Sequence, residues 1–118
     1  DTAMRGSLQA ADLLLARGKR QEGTALLQHL LQTVEAANPP GGDRRPDLEE
    51  VEVQARFRLG SARRAAGDVV EARQHYERVR KLMAGFGRSY RLESELAAFG
   101  LLAEAALAEL GNADERAK

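Results

Sequence analysis

The chain has 118 residues, of which 43% are hydrophobic and 31% are charged, with 18 basic and 18 acidic side chains. This length suits a single domain with one core, and the composition is typical of a globular protein. The absence of cysteine excludes disulfides, thiolate metal sites and cysteine nucleophiles. The zero net charge argues against a dedicated nucleic-acid binder, and no apolar run reaches the roughly 18 residues of a membrane span. We therefore expect a soluble, cytoplasmic protein without membrane contacts.

Two helices, the first predicted pair, precede the prolines, because apolar side chains recur there at steps of three and four. The spacing places them over 3–17 and 20–37, with Gly18 in the turn between them. The stretch 38–47 then holds all three prolines and two adjacent glycines, which interrupt helix and strand alike. We expect this stretch to be an exposed linker, since it offers little apolar surface to bury.

The third helix follows the linker. Asp47 and Glu50 have the spacing of a capping box, which predicts a helix start at Leu48. The helix is expected to end at Gly67, because glycine adopts the left-handed conformation that commonly closes a helix. Its buried stripe is expected at Val51, Ala55, Leu59, Ala62 and Ala66.

Two more helices are predicted downstream. Asp68 is placed to cap a fourth helix, which completes a second pair over 48–86. Helical spacing then continues in a fifth helix over 89–110, before a short tail, 111–118. The expected buried positions are Val69, Ala72, Tyr76, Val79, Leu82, Met83 and Phe86 in the fourth helix, and Leu92, Leu96, Phe99, Ala103, Leu107 and Leu110 in the fifth.

The predicted turns are periodic. An apolar helix runs into a glycine at Gly18, Gly67 and Gly111, at similar intervals along the chain. Such a period is typical of solenoids, in which helix pairs stack on one another. The sequence therefore predicts one all-α domain over 1–118, with five helices in two and a half pairs. A plain five-helix bundle remains the alternative.

The middle pair carries a recognisable motif. Leu59 and Gly60 in its first helix, and Ala72 and Tyr76 in its second, fall on the spacing of the tetratricopeptide repeat pattern. Small residues at Gly60 and Ala72 let the two helices approach closely, while Tyr76 fills the space beside them. The chain thus resembles a tetratricopeptide repeat protein.

Residues suited to catalysis are few. His75 shares a helix face with Glu71, yet no third ligand completes a zinc site, and His29 has no acid within a turn. No phosphate-binding glycine loop, dinucleotide fingerprint or serine nucleophile turn occurs in the sequence. We therefore predict no enzyme, no metal site and no cofactor.

Arginine is over-represented, with fifteen arginines against three lysines. Basic residues are in excess over 40–91 and acidic ones over 92–118. One interpretation is a salt-bridged helix surface, supported by the four-residue spacing of Glu52 and Arg56. The other is a site for acidic peptides, because the planar guanidinium grips a carboxylate with two hydrogen bonds.

The resemblance implies a concave groove, formed by the first helix of each pair, that binds a peptide or protein segment. The predicted function is thus a non-catalytic protein-interaction module, part of a larger regulator or adaptor. We expect Phe57 to be the main anchor for the partner, the alternative being that it packs against a helix of its own chain. The groove residues implied are Arg5, Leu8, Asp12, Leu15, Gln54, Phe57, Ser61, Arg64, Ala98, Leu101, Ala105 and Glu109.

A structural or assembly role is the alternative function. The segment 96–108 contains Glu104 as its single charged residue, so a helix there is apolar nearly all round and needs cover on more than one side. That cover would be a second copy of the chain or the continuation of a longer repeat array. Nucleic acid is a less favoured partner, since few aromatic residues accompany the arginines. The predicted association face is Gly100, Leu101, Leu102 and Ala105.

Overall fold

The structure, a computed structural model, describes residues 2–39, 45–85 and 97–117, which form five helices and no strand. The all-α prediction is confirmed for these residues. Phe86, Leu92, Leu96 and the predicted start of the fifth helix lie outside the described residues, as does the middle of the linker, 40–44. The helices are α1 (Thr2–Ala16), α2 (Arg20–Ala37), α3 (Pro46–Ala65), α4 (Val69–Ala84) and α5 (Ala97–Ala117).

Two of the predicted glycine turns are present. Gly18 and Gly67 have φ angles of 78° and 86°, in the left-handed region that glycine adopts without strain. Gly67 closes α3 by donating its N–H to the Arg64 carbonyl at 3.0 Å. Asp68 then caps α4 as predicted, since its carboxylate accepts the Glu71 N–H at 3.2 Å.

The start of α3 differs from the prediction. The helix begins at Pro46, with Arg45 at the N-cap and no side-chain cap, so the capping box of Asp47 and Glu50 is not formed. Proline suits this first position because its missing N–H would have no partner there. Asp47 instead accepts a hydrogen bond from the Arg45 guanidinium at 2.8 Å. At the other end, Ala66 is exposed at the C-cap and does not extend the buried stripe.

The third predicted turn, at Gly111, is wrong. The helix α5 continues through Gly111 and Asn112 to Ala117, so most of the predicted tail 111–118 is helical. A single glycine costs a helix only about 1 kcal/mol relative to alanine, which a long helix can tolerate. No neighbouring atom lies within 4 Å of a Cβ built at Gly111, so packing does not require glycine there.

The helices pack in chain order, each against the next, and α3 also contacts α1 and α5. Their buried side chains form two apolar clusters rather than one. Cluster one lies among α1, α2 and α3, and cluster two among α3, α4 and α5, so α3 is the helix that both clusters share. Cluster one contains Leu8, Ala11, Leu27, Leu30, Leu31, Val34, Leu48, Val51, Ala55 and Leu59. Cluster two contains Val53, Ala72, Tyr76, Val79, Leu82, Met83, Ala103, Ala106 and Leu110.

The close approach of α3 and α4 depends on Gly60. A Cβ atom at this position would lie 3.0 Å from Cε1 of Tyr76, inside ordinary contact distance. The Tyr76 ring is buried against α3, and its hydroxyl lies 3.0 Å from Oγ of Ser61. The steric role predicted for Gly60 and Tyr76 is therefore confirmed.

The ends of the linker are tied together. Asn38 is buried, and its Oδ1 accepts the N–H of Arg45 at 2.9 Å. The expectation of exposure is therefore wrong at Asn38, because its side chain bridges the end of α2 and the start of α3. Pro39, Arg45 and Pro46 are exposed, as predicted.

Two glycine substitutions test these helix ends. Gly67→Ala should lower the free energy of unfolding by about 1–2 kcal/mol, since alanine is strained at a positive φ. Gly111→Ala should raise it by up to about 1 kcal/mol, because alanine favours a helix interior. Urea unfolding followed by circular dichroism measures both. Destabilisation by Gly111→Ala would contradict the continuation of α5.

Candidate functional site

The face of α3 between α1 and α5 carries much of the predicted groove. Arg58 forms a two-pronged ion pair with Asp12 of α1, with distances of 2.7 Å from Nε and 3.0 Å from the second terminal nitrogen. Its other terminal nitrogen donates to the Gln54 carbonyl at 3.1 Å, and the guanidinium lies 5.8 Å from the Phe99 ring centroid. Arg58 thus contacts α1, its own helix and α5. It was not among the predicted groove residues, although it lies one turn after Gln54 on the same face.

The opposite edge of this face has a second ion pair. Arg64 donates to Oε2 of Glu109 on α5, and this hydrogen bond raises the pKa of the arginine. Ser61 lies between the two arginines along α3, bonded to the Tyr76 hydroxyl. Asp12, Arg64 and Glu109, all predicted groove residues, are therefore ion-paired at the two edges of one surface.

Phe57 packs inside the chain. Its ring lies 5.7 Å from that of Tyr76 on α4 and 5.4 Å from that of Phe99 on α5, centroid to centroid. The Phe57–Phe99 pair is edge-on and the Phe57–Tyr76 pair is tilted, and aromatic rings at such distances attract one another. Of the two alternatives for Phe57, the structure has the one in which it packs against helices of its own chain, joining cluster two.

The remaining predicted groove residues divide into buried and exposed positions. Leu8 is 3% exposed in cluster one, and Leu15 packs against the same cluster, so neither presents a groove surface. The cause is the contact of α1 with both α2 and α3, which covers more of α1 than one apolar stripe indicates. Arg5, Ala98 and Ala105 are exposed, whereas Gln54 is partly buried.

A buried carboxylate lies on the α4 side of α3. Glu52 is 1% exposed, and Arg78 of α4 donates from Nε to its Oε2 at 3.1 Å. The predicted pairing with Arg56 is also present, at 3.9 Å between Nε and the same oxygen. A carboxylate can be buried only with such partners, since an unpaired charge would cost several kcal/mol. The sequence pattern indicated the pair with Arg56 but not the burial or Arg78.

Arg56 links three helices. One terminal nitrogen donates to Oε1 of Glu35 on α2 at 2.6 Å, and the other lies 3.2 Å from Nδ1 of His75 on α4. Burial lowers the pKa of His75 to about 4, and the positive charges of Arg56 and Arg63 add to this effect. His75 is therefore neutral near pH 7, with Nδ1 as the acceptor, and its side chain is partly buried.

The outer face of α5 is apolar and uncovered by the described residues. Leu101 is 68% exposed and Leu102 is 53% exposed, and Ala98, Ala105 and Ala108 around them are also exposed. We call these five residues the α5 outer face. Gly100, predicted as part of the association face, instead turns towards α4, where a Cβ would lie 3.3 Å from Met83 Cγ.

Within the described ranges, no group of three or more histidine or acidic side chains could hold a metal ion. A helix long and apolar enough to cross a membrane is likewise not found in those ranges.

The low pKa of His75 predicts a loss of stability in mild acid. The unfolded chain takes up a proton near pH 6.5 and the folded chain only near pH 4, so the free energy of unfolding should fall as pH drops between these values. The slope should stay below about 1.4 kcal/mol per pH unit, because solvent screens a partly buried group. Urea unfolding across this range measures it. His75→Gln should reduce the slope, and an unchanged slope would assign it to other groups.

Comparison with protein families, with curated proteins and with solved structures gives no match to this chain. Any functional assignment therefore depends on the geometry of its own residues. Two surfaces of the described residues are the candidates: the α5 outer face, and the ion-paired face of α3 between α1 and α5.

Proposed function

We propose that this domain is a non-catalytic protein-interaction module whose partner covers the α5 outer face. The observation that supports this most strongly is the exposure of Leu101 and Leu102. Surface leucines occur singly on most proteins, but here two adjacent leucines are surrounded by alanines. The exposed carboxylates of Glu104 and Glu109 border this surface, so its apolar part is the patch around the two leucines.

The burial of α3 can be compared with that of α5. The helix α3 buries one side in cluster one and the other in cluster two, so its apolar residues are covered on both sides. The described part of α5 contributes to cluster two alone, through Ala103, Ala106 and Leu110. A partner that supplies a helix to the α5 outer face would give α5 the two-sided burial that α3 already has.

The contact pattern also favours an array of helix pairs over a plain bundle. A bundle of five helices is expected to have one shared core, whereas this chain has two clusters with α3 between them. The additional contacts of α3 with α1 and α5 fit a stack in which the first helices of successive pairs are neighbours. In such an array, the α5 outer face is where the next helix would pack, so we propose a helical segment of another polypeptide as the occupant.

Replacing both exposed leucines tests this function. Burying two leucine side chains contributes about 3 kcal/mol, so Leu101→Glu with Leu102→Glu should weaken partner binding by at least about tenfold. The measurement is fluorescence titration against helical peptides selected from a display library on the intact domain. Leu13→Glu is the matched control, because Leu13 is equally an exposed leucine but lies on α1. Selected peptides that bind the double variant and the wild type equally would contradict the proposal.

Light scattering at several concentrations tests the assembly alternative separately. Self-association that the double variant abolishes would make the occupant a second copy of this chain. A monomer at all concentrations, together with peptide binding, would leave a different protein as the occupant.

A second candidate function is recognition of an acidic segment along the face of α3. It is favoured by Arg58 and Arg64, which are six residues apart and so about 9 Å apart along the helix. In a peptide with polyproline II conformation, residues three apart lie on the same side and are about 9 Å apart, so two carboxylates at that spacing match this rise. Asp12 and Glu109 already hold the arginines with exposed carboxylates, whose ion pairs each contribute about 1 kcal/mol or less. A peptide carboxylate could therefore replace them at little cost.

Opposite effects of two substitutions test this second function. Asp12→Asn should strengthen binding of an extended acidic peptide severalfold, because it removes the carboxylate that competes for Arg58. Arg58→Gln should weaken the same binding by about tenfold, the usual effect of losing one charge-assisted hydrogen bond. Fluorescence polarisation with a labelled peptide measures both. Equal affinities for all three proteins would contradict this candidate.

A further inference from the structure

A polar cleft lies between the first half of α2 and the last turns of α3, away from the α5 outer face. Its volume is about 430 Å³. Along α2 it is lined by Arg20, Gln21, Thr24 and Gln28, and α3 contributes Arg63. Alanines complete the α3 wall, and their small size leaves the cleft open.

Thr24 marks the floor of this cleft. The residue is only 8% exposed, and within the described part of the chain its hydroxyl has no hydrogen-bond partner. A threonine within a helix usually bonds to a carbonyl one turn earlier, as Thr33 does with His29 at 3.0 Å. The Thr24 oxygen is not among the fully buried atoms, because it faces the cleft that the residue lines. Thr24 thus offers an unpaired hydroxyl to a polar group in the cleft.

Positive charge surrounds this floor. Arg63 Nε lies 2.9 Å from Oε2 of Glu71 but is not aligned for a hydrogen bond, so this guanidinium is only partly engaged. Arg20 is exposed and forms no ion pair within the described residues. Lys19, at the N-cap of α2, supplies no side-chain cap, so the positive end of the helix dipole also lies at this end of the cleft.

We propose that the cleft between α2 and α3 binds a phosphate group, with Arg63 and Arg20 gripping its oxygens and the Thr24 hydroxyl donating from the floor. Two guanidinium groups from separate helices suit a doubly charged tetrahedral anion, whose oxygens point in several directions. The volume exceeds that of phosphate alone, and Gln21 and Gln28 offer amide hydrogen bonds to an organic remainder. The ligand class is inorganic phosphate or a small phosphate monoester. This inference is independent of the proposed protein-interaction function.

The test is a titration of the full chain with inorganic phosphate, and separately with glycerol phosphate, followed by amide NMR at constant ionic strength. Saturable shifts should concentrate at Arg20, Gln21, Thr24 and the Arg63 side chain. Binding of glycerol phosphate at least threefold more tightly than phosphate would identify a monoester as the ligand, and equal affinity would identify the inorganic ion.

Four variants separate a binding role from a structural one. Arg63→Gln should weaken binding at least tenfold, and Thr24→Val, which keeps the side-chain shape, should weaken it about threefold, as expected for one neutral hydrogen bond. Glu71→Gln should leave binding unchanged or strengthen it, because Glu71 competes for Arg63. Lys81→Gln, an equal change of charge on the exposed surface of α4, should have no effect.

The outcome that overturns the site is equally specific. Two results would contradict the site: shifts that do not saturate, or shifts as large for Thr24→Val and Arg63→Gln as for the wild type. Either would mean that phosphate is attracted non-specifically by positive charge and does not bind in the cleft. If Arg63→Gln fails to fold, by circular dichroism, Thr24→Val and Arg20→Gln decide the question alone.

Discussion

The packing of this protein depends on one helix that must be buried on two sides. The helix α3 presents Val51, Ala55 and Leu59 to one cluster and Val53 to the other, with Phe57 packed against the second. Each of the remaining helices therefore covers part of α3 or a helix that does. A close approach is essential on the α4 side, where Gly60 leaves room for the Tyr76 ring. Any change that thickens α3 there must displace α4 and α5 together.

Burial on two sides also explains where the charges of α3 lie. Polar side chains can leave this helix only along the edges between its apolar faces, so its arginines emerge next to the neighbouring helices and meet their carboxylates. Arg58 reaches α1, Arg56 reaches α2 and α4, and Arg64 reaches α5. The exposed pairs contribute little each, about 0–1 kcal/mol. Glu52 differs, because it is buried and its loss or that of its partners would leave an uncompensated charge.

The sequence predicts the helices and their local packing better than it predicts which side chains form the exposed surfaces. Periodicity predicts the helices, and the small residue Gly60 predicts the close packing of Tyr76, because both depend on neighbours within one helix pair. Gly111 is misjudged, since a turn residue stops a helix only when the following residues do not continue it. The prediction of Leu8 as a groove residue is wrong, because the single apolar stripe of α1 does not reveal that both α2 and α3 cover this helix. Arg58 escapes notice because its partner is distant in sequence, and no local pattern encodes such a contact.

The hydrogen bond from the Arg45 N–H to the Asn38 side chain links the two ends of the linker to each other. This contact joins the end of α2 directly to the start of α3. The relative placement of the two helices therefore does not depend on the length of the chain between Asn38 and Arg45. The entropic cost of a longer loop grows slowly, by about 0.6 kcal/mol for each doubling of its length. This makes the linker a site where an epitope, a fluorophore-binding sequence or a whole inserted domain can be accommodated while both apolar clusters stay intact.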